Sequence, residues 1–154
     1  MRIVHVTPFY HPITGGVEEV TTRLSEHMVR RGVEVDVVTY NRLRDCGYGS
    51  LPRSEMINGV RVHRLRPNFA FSYGTYSAEL SGALRRLNPD VVHVHVWRHP
   101  HVFQVARLKK ELGFKAILHG HAPFHRISQL DARVWLYHRL VDAFNGDVLT
   151  AYDK

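Results

Sequence analysis

Cysteine is nearly missing from this chain. Cys46 is the only one in 154 residues. No intramolecular disulfide can form, and an intracellular setting is expected. No apolar run approaches the length of a membrane span. The opening residues, MRIVHVTPFYHP, lack the long apolar core of a secretory leader and read as a strand. These absences make a cytoplasmic protein the expectation. Several chemical signatures are missing as well. Neither G-x-G-x-x-G nor G-x-x-x-x-G-K-[ST] occurs, so the standard dinucleotide and P-loop readings fail. There is no H-E-x-x-H spacing, and no G-x-S-x-G elbow to support a serine hydrolase. Internal repeats, low-complexity tracts and linkers are absent. The length therefore suggests one domain with a proper core.

Acidic residues are outnumbered. The net charge is +7 and the pI is about 9.9. The basic residues are spread out, with no run longer than the pairs Arg30-Arg31, Arg85-Arg86 and Lys109-Lys110. No zinc-finger spacing and no RNA-recognition aromatic motif accompanies them, so nucleic acid is not expected as a partner. Phosphorylated substrates and an anionic membrane surface suit such a balance.

What the chain does have is alternation. Residues 2–6 form a short apolar strand. Val17, Val20, Leu24 and Met28 then recur at spacings of three and four, which marks one face of a helix. Gly32 follows Arg30-Arg31 as a stop. Residues 33–39 (VEVDVVT) make a second strand, so the two strands are expected to be parallel. Residues 41–54 read as a polar surface loop, and Asn58-Gly59 turns the chain into a third strand, 60–65. A loop at 67–75 precedes a helix at 76–87, which ends at Asn88-Pro89. Residues 90–96 (DVVHVHV) read as a strand buried on both faces. A helix at 99–112 closes at Gly113, and a fifth strand covers 115–119. A loop at 120–127 leads to a long helix, 128–144, with Leu130, Val134, Tyr137, Leu140 or Val141, and Phe144 inward. A sixth strand is expected from residue 147. This is an α/β, Rossmann-like, doubly wound parallel sheet of about six to seven strands.

In such a sheet, ligands bind outside the carboxyl ends of the strands. Residues 8–16, 95–98 and 119–125 share that edge. In the first, Gly15-Gly16 precede the helix that starts at Val17. A helix N-terminus attracts anions, and glycine admits close approach to the backbone. A tight packing turn is the plainer alternative. Glu18 and Glu19 suit the helix dipole, and Glu18 facing the crevice would bind a hydroxyl. His93 and His95 share a strand face, and His119 and His121 form a second H-x-H pair. A metal site and a set of hydrogen-bonding or catalytic histidines are both open on this pattern. The second pair lacks an acidic companion, which favours His121 as a crevice histidine. Trp97 and Arg98 follow the fourth strand, where they would hold a sugar ring or an anion, or simply pack at a helix start. Cys46, in a turn-rich loop with no base nearby, reads as an incidental thiol.

Taken together, P-x-x-G-G-V-E-E (residues 12–19, with its one-residue contraction), R-R-G-V-E-V-D-V-V-T (30–39), N-P-D-V-V-H-V-H (88–95) and K-A-I-L-H-G-H (115–121) resemble the opening of family 4 glycosyltransferases. The order and spacing of these segments carry the likeness, which spans nearly the whole chain. The resemblance implies one half of a GT-B architecture, the N-terminal, acceptor-binding domain, over residues 1–154. The C-terminal half, which mainly binds the nucleotide-sugar donor and bears an E-x7-E motif, is not in this sequence. It would be supplied in cis or as a second chain, and this chain alone is not expected to transfer sugar.

The resemblance further assigns Gly15, Gly16 and Val17 to the donor diphosphate and His121 to the transferred sugar. His119 competes for that role because this chain has H-G-H. Glu18, His95, Trp97, Arg98 and His119 become substrate-binding candidates. The implied reaction is retaining, with no metal and no cofactor beyond the nucleotide-sugar co-substrate. The acceptor would be a saccharide or lipid-linked, with peripheral contact at the inner face of the membrane. Phe124, Arg126, Arg133, Trp135, Leu136, His138 and Arg139 offer a candidate surface, and an ordinary packing helix is its alternative. Two other readings stand beside this one: a metal-dependent hydrolase built on the H-x-H pairs, and a stand-alone anion-binding module.

Overall fold

The valine-rich strands assemble into one sheet, with the first strand inside it. A computed structural model describes residues 1–43, 50–71, 74–121, 132–143 and 148–154. Its elements are β1 (Arg2–Val6), α1 (Gly16–Arg30), β2 (Glu34–Tyr40), β3 (Ser54–Ile57), β4 (Val60–Leu65), β5 (Phe69–Phe71), β6 (Gly74–Tyr76), α2 (Glu79–Leu87), β7 (Val91–His95), α3 (Pro100–Leu112), β8 (Lys115–His119) and α4 (Ala132–Ala143). A 3-10 turn follows at Leu149–Ala151. The six-stranded sheet runs β3-β4-β2-β1-β7-β8, and β5 and β6 form a separate hairpin. β4, β2, β1, β7 and β8 pair in parallel, and β3 is antiparallel at the edge.

Local chemistry explains the connections. β3 and β4 are joined by Asn58-Gly59, with φ of 50° and 82°. Two successive positive φ angles are what a tight hairpin between right-twisted strands requires, and Asn-Gly tolerates them. α2 closes on Asn88 in the left-handed region, just before Pro89. α3 opens with extended His99 and Pro100 and closes on left-handed Gly113.

Alternation along each strand divides the core. Val4, Val6, Val38, Val92, Val94 and Ala116 pack beneath Leu80, Ala83 and Leu84 of α2 and Val102, Val105 and Leu108 of α3. Val35, Val37, Val60, Val62 and Tyr10 form the second cluster, on which Met28 and Val29 of α1 pack. Both faces of the central strands are therefore covered, as a parallel sheet requires.

Several expectations need correcting. α1 buries the stripe Val17–Val20–Leu24–Met28 only in part, with Val17, Leu24 and Met28 half-buried. Its buried residues are Glu18, Thr21 and Ser25, and Val20 is exposed. Small side chains let the helix lie close to the sheet, and the two hydroxyls bond back to carbonyls one turn earlier, Thr21 to Val17 and Ser25 to Thr21. Residues 54–57, of which the sequence reading places only Ser54, in a loop, form an edge strand. The loop expected at 67–75 contains the β5–β6 hairpin, which displaces the start of α2 to Glu79. No strand starts at 148–150, where the chain makes its 3-10 turn. The β8 edge is met a little later, where Asp153 N–H bonds Ala116 O at 2.8 Å and Leu118 N–H bonds Lys154 O at 2.8 Å. On α4, Leu140 is exposed and Val141 half-buried, so Val141 takes the inward position. Cys46, Phe124, Arg126, Leu130, Phe144, Asp147 and the Arg133 side chain lie outside the described residues.

Candidate functional site

Parallel pairing sets the carboxyl ends of β1, β7 and β8 side by side. Three short segments leave that edge, and the backbone there is unusual. Val96, Arg98 and His121 have φ of 72°, 67° and 53°. Such angles are rare for residues with a Cβ, and strained positions cluster at functional sites. The β7–β8 ladder continues past both strand ends: Val96 N–H meets His119 O at 2.9 Å and Trp97 N–H meets Gly120 O at 3.3 Å.

Register gathers the histidines. His5 lies opposite His93, and His95 opposite His119. Because side chains alternate, all four occupy the same sheet face. His121 joins them beyond the end of β8. His5 Nδ1 lies 2.9 Å from His95 Nε2, and His95 Nδ1 lies 2.8 Å from His121 Nε2. The His119 and His121 rings stack with centroids 3.7 Å apart. His5 and His95 are fully buried, His93 and His121 half-buried, and His119 exposed. His119 therefore points outward at the edge. The sequence reading missed His5. A lone imidazole in the apolar run IVHV was its one signal, and only pairing with β7 gives it neighbours.

Burial keeps the His5, His93, His95 and His121 rings neutral. It pushes His5 down to about 3, with help from His93. It pushes His93 and His121 down to about 4, with neighbouring histidines adding to the effect. His95 is lowered by the same causes. A neutral imidazole has one N–H and one acceptor nitrogen. The chain can therefore run outward, from His5 Nδ1–H to His95 Nε2 and from His95 Nδ1–H to His121 Nε2. That direction leaves only an acceptor at His5 Nε2, which is buried without a hydrogen-bond partner among the described residues. The inward direction strands an N–H there, and buried N–H groups are the rarer orphans. In the outward direction the His121 proton sits on Nδ1, at the end of the chain.

A second pair steadies the strand end. His101, also pushed down to about 3 by burial, donates Nε2–H to the carbonyl of His95 at 2.8 Å. The Tyr40 hydroxyl donates to His101 Nδ1 at 3.3 Å.

The other candidates divide. Gly15 caps α1 in an extended conformation, which any residue adopts, with no side-chain cap on the first-turn N–H groups. A Cβ on Gly16 would meet nothing within 4 Å. Neither φ nor packing among the described residues explains a glycine at Gly16. Val17 is half-buried and Glu18 buried. Trp97 packs against the main core. Arg98 makes a two-pronged ion pair with Asp142 of α4, both contacts at 2.8 Å, and its carbonyl accepts from the Tyr137 hydroxyl. On α4, Trp135, Leu136 and Leu140 are exposed, and the Arg139 guanidinium sits 5.9 Å from the Trp135 ring. No helix among the described residues is long and apolar enough to cross a membrane.

A Rossmann-like sheet with ligand candidates at its carboxyl edge defines the class. Residues 15–154 match the model of the glycosyl transferase 4-like domain, and the chain belongs to that family. It is 38% identical over 105 residues, 63% of its length, to an uncharacterised glycosyltransferase of Methanocaldococcus jannaschii, covering 25% of that protein. It is 31% identical over 96 residues, 62% of its length, to a GDP-mannose:cellobiosyl-diphosphopolyprenol alpha-mannosyltransferase of Xanthomonas campestris, covering 24% of it. A GDP-mannose-dependent alpha-mannosyltransferase of Mycolicibacterium smegmatis is 31% identical over 99 residues, 61% of this chain and 25% of that protein. The chain thus spans about a quarter of the length of these relatives. Among solved structures, sucrose-phosphate synthase from Thermosynechococcus elongatus superposes with a TM-score of 0.60 at 15% identity, over 91% of this chain and 39% of that one. That likeness shows the fold, a Rossmann-like half of the GT-B architecture.

Proposed function

We propose that this chain is the acceptor-side half of a retaining glycosyltransferase that uses a nucleotide-sugar donor and no catalytic metal. One observation carries the reading: the glycine turn at the start of α1 and His121 belong to the same sheet edge. In this account the N–H groups of Gly16 and Val17 meet the donor diphosphate, where the positive end of α1 favours it. The vacant space at Gly16 is room for that approach. His121, neutral and protonated at Nδ1, donates a hydrogen bond to the transferred sugar. The donor phosphate takes the acceptor proton. The protein contributes position and electrostatic stabilisation of the leaving group.

The donor-binding half comes from a second domain, in cis or as another chain, and this chain alone transfers nothing. Two relatives are named for GDP-mannose, so it is the first donor to test, with a saccharide on a diphospholipid as first acceptor. The exposed Trp135, Leu136 and Leu140, with Arg139, suit peripheral contact at the cytoplasmic membrane face. None of the relatives named above favours the H-x-H hydrolase reading.

The test is sugar transfer by the chain joined to a donor-binding half. Transfer is expected from a nucleotide sugar, without loss on adding a chelator. A chelator-abolished reaction, or hydrolysis of unrelated esters instead, would overturn the proposal.

A further inference from the structure

We propose that His95, His119 and His121 form a binding site for a divalent transition metal ion such as Zn2+. One ring nitrogen of each lies within 4.8 Å of the others. Metal–imidazole bonds of about 2.0–2.1 Å in tetrahedral geometry set ligand nitrogens about 3.4 Å apart. The His95–His121 pair, at 2.8 Å, opens slightly to reach that spacing, and the wider pairs close. The last two ligands are free to adjust, since His119 is exposed and His121 half-buried. The same exposure gives the ion an entry path and leaves its fourth position to water. An all-imidazole set selects zinc, copper, nickel or cobalt over magnesium and calcium, which prefer oxygen.

The outer shell is also present. A histidine that binds metal through one nitrogen normally donates its other N–H to a fixed acceptor. His95, binding through Nδ1, donates Nε2–H to His5 Nδ1, 2.9 Å away. This reverses the outward direction of the imidazole chain and places the His5 proton on its partnerless Nε2. Burying that N–H weakens the site by roughly 10- to 100-fold relative to a fully satisfied one. The site does not depend on the sugar-transfer reading. If that reading holds, a bound ion ties up His121 and inhibits a reaction that itself needs no metal.

Calorimetric titration of the untagged protein with Zn2+, paired with Co2+ absorption in the visible, tests the proposal. One equivalent is expected, with a tetrahedral cobalt spectrum. His119→Ala and His121→Ala should each weaken binding by at least tenfold, in line with loss of a ligand. Both replace side chains that are not fully buried, and circular dichroism checks the fold. His27→Ala, on the exposed face of α1, should change nothing. Failure to bind Zn2+ at millimolar concentration, or equal binding by wild type and His119→Ala, would overturn the site.

Discussion

His5 and His101 show what a buried neutral imidazole does to stability. Both are inaccessible to solvent, and burial pushes each down to about 3. The unfolded chain takes up a proton on each near pH 6.5. Between pH 6.5 and about 3 the unfolded state therefore binds more protons, and stability falls as pH falls. Each such histidine contributes a slope of about 1.4 kcal/mol per pH unit. Unfolding in denaturant at pH 7.0, 6.0 and 5.0 should show this loss before most carboxylates titrate. His5→Phe should remove about one proton from the slope, and an unchanged slope would contradict the burial. Gly16 gives a prediction of another kind. Added methyl volume meets nothing among the described residues, and alanine is the better helix former. Gly16→Ala should leave the melting temperature unchanged or raise it, while transfer by the completed enzyme falls at least tenfold. Equal transfer would mean that the glycine is not a contact for the donor.

Among the elements, α1 is where sequence and structure part most. Its apolar period was legible, but not which face would be buried. The surface beneath is made by Val35 and Val37 of the sheet with Tyr10 beside them, and close approach selects Thr21 and Ser25 there. Periodicity reports that a helix has two faces; the height of the surface it must meet depends on strands distant in sequence. Val20→Glu should therefore change stability by less than about 0.5 kcal/mol, as for a surface site. Thr21→Leu should destabilise by about 1–3 kcal/mol through overpacking. The turn at Gly59 is a second check. A Cβ there would sit 2.9 Å from Val29 Cγ1 of α1, and φ is +82°. Gly59→Ala should destabilise by about 1–3 kcal/mol. Chemical denaturation measures all three. The β-α-β alternation, the glycine turn and both H-x-H pairs were legible because each is local. His5 was not, because its role exists only through pairing with His93. The Arg98–Asp142 pair was not, because it links residues 44 apart.

At the scale of the molecule, parallel order turns separated motifs into one edge. β1, β7 and β8 are parallel neighbours, so the chain leaves β1 for Gly15-Gly16 at the same end of the sheet that carries the histidines at 95, 119 and 121. Family membership and the GT-B likeness make the sheet a Rossmann-like half of that architecture, and in the proposed function its edge is one wall of a cleft whose other wall binds the donor. The most direct measurement is release of nucleotide from GDP-mannose and other nucleotide sugars, with a lipid-linked saccharide present, by the chain joined to a donor-binding half. The account expects transfer, insensitive to chelator, that falls at least a hundredfold in His121→Ala with the fold intact. Full transfer by His121→Ala, or transfer that requires an added metal ion, would contradict it.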